Sequence, residues 1–267
     1  MNLLFWNAAK QPINSALADL VAESKADIVC LAEYEDDPTA FLHVLRGKGQ
    51  SHTLVPSLGC KRVTLFANLP PRSVRHRRDG SRFTIKEIRP RGISPFLLVV
   101  LHLPSKLYAT EDDQLYHATK LKNEIEETEK ECGHRNTIVI GDFNMNPFDK
   151  GMVSAAAFNS LPIARIAQRE YREIDGIKHH FFYNPSWNLL GDRNASPGTF
   201  FHGKPSSLSH YWNTLDQVIM RPGMASSLDK QSLRVISATG TLSLVNDDGR
   251  PTSSDHLPIA LSLRPTW

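Results

Sequence analysis

The chain has 267 residues, of which 40% are hydrophobic and 22% charged, and its formal net charge is +3. That balance is ordinary for a globular fold and excludes disordered, collagen-like and coiled-coil classes. The length allows one large domain or two small ones, with enough chain to bury a core without disulfide or metal staples.

No apolar stretch approaches the roughly 20 residues that span a bilayer, and the opening MNLLFWNAAK reads as lacking a secretory leader. Cys30, Cys60 and Cys132 are odd in number and widely spaced, which fits neither a disulfide framework nor a zinc pattern. A reducing, cytoplasmic setting is the expectation.

Leu3–Trp6 is a short apolar run, and Asn14 and Ser15 offer helix caps for the apolar periodicity at 16, 17, 20 and 21. Ile28–Ala32 is a continuous apolar run of the buried-strand kind. Thr39–Arg46 predicts a short helix stopped by Gly47, and Arg62–Ala67, Phe83–Ile88 and Phe96–His102 predict three strands. Thr110 to Cys132 is the clearest helix: Thr110 can cap it, Glu111, Asp112 and Asp113 complement the dipole, and Gly133 ends it.

Asn136–Ile140 predicts another buried strand, feeding the turn GDFN. From Gly176 to Ser209 the pattern weakens into irregular, aromatic- and Pro/Gly-rich sequence, before strands at Thr214–Met220, Leu233–Ser237 and Ile259–Leu263. Many strands with few long helices predict stacked sheets flanked by helices, in one domain over residues 1–267.

Charge is distributed unevenly. Residues 72–91 hold eight Lys or Arg against Asp79 and Glu87, a net +6 that leaves the remainder of the chain at −3. The segment RSVRHRRDGSR is dense enough in cations to bind a polyanionic backbone, which makes Arg75, Arg77, Arg78 and Arg82 candidate substrate contacts. The alternative for this segment is a solvated hairpin. Among the aromatics of the irregular region, Trp212 stands four residues before Asp216, where a stacking residue would border the site. Ser105 and Lys106, after LHLP, are further candidates for a phosphate contact.

Polar residues at the ends of apolar strands carry the chemical signal. Asn7 follows LLFW, Glu33 follows IVCLA, and His102 follows FLLVVL. Asp142 and Asn144 follow TIVIG, Asp216 lies in TLDQVIM, and Asp255 and His256 precede LPIAL. Each alone has a bland reading as a cap, a turn or a solvated loop residue. Strand ends of a layered fold converge on one rim, however, where oxygen ligands suit a hard cation such as Mg²⁺ and a His–Asp pair supplies an oriented base.

These pieces resemble the endonuclease/exonuclease/phosphatase superfamily, which contains deoxyribonuclease I, exonuclease III, neutral sphingomyelinases and inositol polyphosphate 5-phosphatases. The resemblance runs through FWNAAK, IVCLAEYED, VVLHLPSK, IVIGDFNMNP, TLDQVIM and SSDHLPIAL, almost the whole chain. It implies an α/β fold, the deoxyribonuclease I-like four-layer α/β/β/α sandwich, with its site at the top of the two sheets.

By the same resemblance, Glu33, Asn7 and Asp255 lie on the metal side. Asp142 is placed to bind or activate the attacking water and Asn144 to hold the phosphate. His256 stands near the scissile phosphate, oriented by Asp216, with His102 as the strand-end histidine. A tyrosine is usual at that last position in the abasic-site repair branch, so His102 argues against that activity.

The implied activity is in-line hydrolysis of a phosphodiester with Mg²⁺, or alternatively Mn²⁺, on a nucleic acid, DNA before RNA. The alternative is a phosphatase or phosphodiesterase acting on a phosphoinositide, sphingolipid or small phosphate ester. A binding module with a decayed site is the third reading, and an unidentified protein partner for targeting is a conjecture compatible with the first.

Overall fold

In the computed structural model, which describes residues 1–192, 195–204, 209–240 and 242–265, two sheets stack face to face. The first holds β1 (Asn2–Asn7), β2 (Ile28–Ala32), β3 (Thr53–Val55) and β4 (Val63–Ala67), with the later strands Leu228–Val235 and Ile259–Leu263. The second holds β5 (Val74–Gly80), β6 (Phe83–Ile88), β7 (Phe96–His102) and β8 (Thr137–Asp142), with Asp216–Met220, Phe182–Tyr183 and Ser160–Leu161. At the centre of each sheet is a parallel pair, β1 with β2 and β7 with β8.

The alternation of side chains sorts the core into three layers. Phe5 and Cys30 meet Leu98, Val100, Ile140 and Val218 between the sheets. The opposite faces of β1 and β2, with Trp6 and Leu31, take Leu17 and Leu20 from α1 (Asn14–Ser24) and Phe41 and Leu45 from α2 (Pro38–Gly47). On the other side Val99, Val139 and Ile219 take Ala118, Leu121 and Ile125 from α3 (Glu111–Cys132). The fold is the α/β/β/α sandwich.

Strands buried on both faces need apolar residues at every position, which is why β2, β7 and β8 read as uninterrupted runs.

α3 begins with a reciprocal capping box between Thr110 and Asp113 and ends on Gly133 at φ 72°, a left-handed conformation that suits glycine. α1 departs from the sequence reading. Neither Asn14 nor Ser15 caps it; the Asp36 carboxylate instead accepts from the Ile13 and Asn14 N–H groups. Within the irregular region, Ile177–His180 is a strand that pairs with Tyr171–Ile174 in an exposed ribbon. Residues 193–194 and 205–208 of that region lie outside the described residues.

Candidate active site

Strand register decides which side chains meet at the rim. His102 ends β7 directly opposite Asp142 at the end of β8, and Asp216 opens the antiparallel neighbour opposite the same Asp142. Three titratable residues therefore stand in one row across adjacent strands, about 4.8 Å apart. In the facing sheet Asn7 ends β1 opposite Ala32, so Asn7 and Glu33 close the corresponding edge.

Asp142 is the hub, with 1% of its surface exposed. Its Oδ2 accepts from the side-chain amides of Asn7 at 2.9 Å and Asn144 at 3.1 Å, and Oδ1 accepts from the Asn144 backbone N–H at 2.8 Å. Asn144 adopts φ 52°, which folds its N–H and amide back onto the carboxylate; asparagine tolerates this region better than most residues. Gly141 is required by close approach, since a Cβ there would lie 2.2 Å from the Leu101 carbonyl oxygen. Burial pushes the Asp142 carboxyl up to about 7, with Asp216 reinforcing the shift against the pull of His256.

His256 is fixed from several sides. Its Nδ1 hydrogen-bonds Asp216 Oδ2 at 2.7 Å, its backbone carbonyl accepts from Trp6 Nε1 at 2.9 Å, and the Phe200 ring packs 4.8 Å from the imidazole. Ser254 Oγ donates to the Asn7 carbonyl at 2.7 Å, tying the 254–256 turn to the end of β1. The remaining nitrogen, Nε2, sits 4.0 Å from Asp142 Oδ2 and 3.8 Å from Asp255 Oδ1. Burial opposes the charged imidazolium, but Asp216, and then Asp142 and Asp255, outweigh it and raise His256 to about 10.

His102 behaves oppositely: burial, then the positive charges of Arg62, His256 and Arg82, push it down to about 4. The two histidines are thus pushed in opposite directions by their surroundings.

Glu33 is held at φ 47°, left-handed for a residue with a long side chain, and that conformation costs on the order of 1–3 kcal/mol. Its carboxylate lies 3.4 Å from His102 Nε2 and is 32% exposed to a cleft of about 640 Å³. The oxygen donors of Glu33, Asp142, Asp255 and Asn7 are of the class that hard divalent cations take. Among the described residues, Asp142, Asp216 and His256 form the group whose ligand atoms lie within 4.8 Å of one another. Asp216 Oδ2 and His256 Nδ1 are engaged with each other, and the Glu33–Asn7 side offers a carboxylate that is open to the cleft.

The structure brings together Asn7, Glu33, His102, Asp142, Asn144, Asp216 and His256, with the exposed Asp255 at the outer edge. It does not bring there Arg75, Arg77 or Arg78, three of the candidate substrate contacts. Arg75 is exposed and registers through Glu87 with Leu97, five residues before His102 on β7. Arg77 pairs with the buried Glu87. Arg78 spans Glu124, Glu127 and Glu131 of α3 at 2.6–2.7 Å. The charges of Arg77 and Arg78 are already matched within the fold.

Arg82 does line the cleft, as does Ser105, whereas Lys106 pairs with Asp149 at 2.6 Å. Trp212 is half-buried against Phe201, in a short ribbon whose other strand carries Phe200 to His256. Sequence reasoning missed Arg62, Lys10 and His117, which also line the cleft. The available signal for Arg62 was its place at the start of a strand running back from the end of β2.

An α/β/β/α sandwich with a buried acid–histidine row at the rim of its sheets defines a class of phosphoric ester hydrolases. The chain belongs to the Endonuclease/Exonuclease/phosphatase family, whose model matches residues 4–256, and whose members depend on divalent metal. Similar solved structures include truncated TDP2 from Caenorhabditis elegans (TM-score 0.60, 14% identity, covering 98% of this chain and 97% of that one). TDP2 from D. rerio, complexed with a single-strand DNA product, gives 0.59 at 16% identity over 98% of each chain. A family protein from Bacteroides thetaiotaomicron gives 0.59 at 14% identity, covering 98% of this chain and 97% of that one. No curated protein sequence matches the chain.

Proposed function

We propose that the protein is a Mg²⁺-dependent phosphodiesterase that hydrolyses nucleic acid, DNA in preference to RNA, by in-line attack of water at phosphorus. The observation that carries this reading is the row His102–Asp142–Asp216 with His256 locked onto Asp216, facing the open carboxylate of Glu33. The single-strand DNA product held by the D. rerio structure supports a nucleic-acid substrate for this fold.

Glu33, with Asn7, Asp142 and Asp255 around it, would hold the cation, whose chemistry is to neutralise charge on a phosphoryl oxygen and on the leaving group. Mn²⁺ would satisfy the same donors. Asp216 fixes the His256 ring so that Nε2 faces the reacting phosphate, where an imidazolium stabilises the charge that builds on the equatorial oxygens. Asp142, oriented by the Asn7 and Asn144 amides, positions the attacking water and receives its proton. His102, kept neutral, donates to a phosphoryl oxygen through Nε2 without adding a charge.

The test is hydrolysis of end-labelled single- and double-stranded oligonucleotides with Mg²⁺, Mn²⁺ or EDTA. Metal-dependent fragments that preserve one phosphate polarity support the reading, and their ladder separates internal from terminal cleavage. Intact oligonucleotides under every metal, alongside hydrolysis of an inositol phosphate or sphingomyelin, would contradict it.

A further inference from the structure

Two arginines at the cleft differ from Arg77, Arg78 and Arg89. Arg77, Arg78 and Arg89 each meet at least one carboxylate. Arg62 and Arg82 line the same cleft as Glu33 and His102, and neither forms a salt bridge among the described residues. Both belong to the framework of the site: the Arg62 carbonyl accepts from the Glu33 N–H at 3.4 Å, and the Arg82 carbonyl accepts from the His102 N–H at 2.9 Å. Their side chains therefore leave the backbone one residue pair away from the proposed reacting centre.

The cleft offers little to neutralise them. Glu33 is the proposed cation ligand, and Asp113, the other lining carboxylate, is held through Oδ2 in the capping box with Thr110 and, among the described residues, forms no ion pair with either arginine. Lys10 and His117 add donors to the lining, and Lys10 already pairs with Glu35. Burial, and then the charge of Arg62, lower the proton affinity of Arg82, and both arginines depress that of His102. Like charges held together without a counter-charge are an electrostatic cost that an incoming anion relieves. A guanidinium fork is the side chain best shaped to take phosphate in two parallel hydrogen bonds.

We propose that Arg62 and Arg82 form a second anion subsite, which grips a phosphate of the substrate adjacent to the one being cleaved. This rests on the phosphodiesterase reading above and adds a requirement to it: the preferred substrate carries at least two phosphates, one at the row and one in the arginine cleft. The second phosphate comes either from the next linkage of a nucleic-acid strand or from a compact polyphosphorylated molecule.

Binding measured without hydrolysis separates these. The full chain, in EDTA, is titrated with fluorescently labelled dT12 by anisotropy and with inorganic pyrophosphate by calorimetry. Arg62→Ala and Arg82→Ala should each weaken dT12 about tenfold and flatten the salt dependence by close to one phosphate contact. Arg75→Ala, exposed and outside the cleft, should stay within twofold. Loss of pyrophosphate binding by the same two variants, with dT12 binding retained, would assign the subsite to a compact polyphosphate.

Arg62→Ala and Arg82→Ala proteins that bind both probes as the wild type does, or a wild type that binds neither, would overturn the proposal. Arginine-dependent binding with no hydrolysis under any metal would refute the phosphodiesterase reading and leave the subsite standing.

Discussion

The sheet rim and the outer hairpin are both crowded with charge, yet they are built on opposite terms. On β5, Arg77 and Arg78 sit among carboxylates that match them, three from α3 alone in the case of Arg78. At the rim, charges are buried together with partial compensation: Asp142 sits in a shell of amides, Asp216 Oδ1 and His102 Nδ1 have no hydrogen-bond partner among the described residues, and Arg62 and Arg82 face open space. Glu33 and Asn144 add left-handed backbone. Matched charge is structural furniture, whereas unmatched and strained charge marks where a substrate or ion completes the arrangement.

The largest test of that contrast is chemical. Asp142→Asn and His256→Ala should each lower kcat about 10²–10⁴-fold, the range of a positioned acid–base group, with circular dichroism unchanged. Arg78→Ala should retain wild-type turnover. A matched loss in Arg78→Ala would erase the distinction between rim and hairpin.

Gly141→Ala sharpens it from the side of packing. The added methyl meets the Leu101 carbonyl at 2.2 Å, so β7 and β8 must separate. Urea denaturation should show a loss of about 1–3 kcal/mol, the usual cost of forcing atoms into a packed interior, and activity should fall because Asp142 moves with the strand.

The pH dependence of stability reads the buried pair directly. His256 has its pKa raised, to about 10, so its charged form stabilises the folded state. That stabilisation is full below the ordinary histidine value and is lost as pH rises through about 10. Urea midpoints taken from pH 6 to pH 10 should fall for the wild type and show a smaller slope in His256→Ala.

Glu33→Gly should produce a smaller change of opposite sign to the packing variant. Glycine adopts φ 47° without the Cβ penalty, so the metal-free protein should gain about 1 kcal/mol while activity is lost. The smallest effect belongs to the hairpin: Arg78→Ala should cost about 0–1 kcal/mol, because its ion pairs lie at a partly exposed surface. Thermal unfolding of the two variants side by side checks both.

Much of the fold was legible where the cause is local. β6, β7 and Ile259–Leu263 emerge from apolar runs with the bounds the sequence predicts, and Thr110 and Gly133 mark the ends of α3 by their own chemistry. The polar strand ends were legible for a related reason, since residues that interrupt buried strands at one end must share a rim. Long-range partners were not. Asp36 caps α1 from the loop after β2, and the acids that neutralise Arg78 lie 46–53 residues further along the chain. Density of arginine in a segment gives no information about the distant face it packs on. The exposed ribbon Tyr171–Ile174 with Ile177–His180 escaped notice because four-residue strands outside the core carry no burial pattern.

The most direct test of the central claim is the conversion of supercoiled plasmid by purified protein under Mg²⁺, with EDTA and the Asp142→Asn protein as controls. Metal-dependent nicking by the wild type, absent from both controls, is the predicted result. Nicking that persists in Asp142→Asn, or a wild type that leaves plasmid and single strands intact while hydrolysing another phosphate ester, would contradict it.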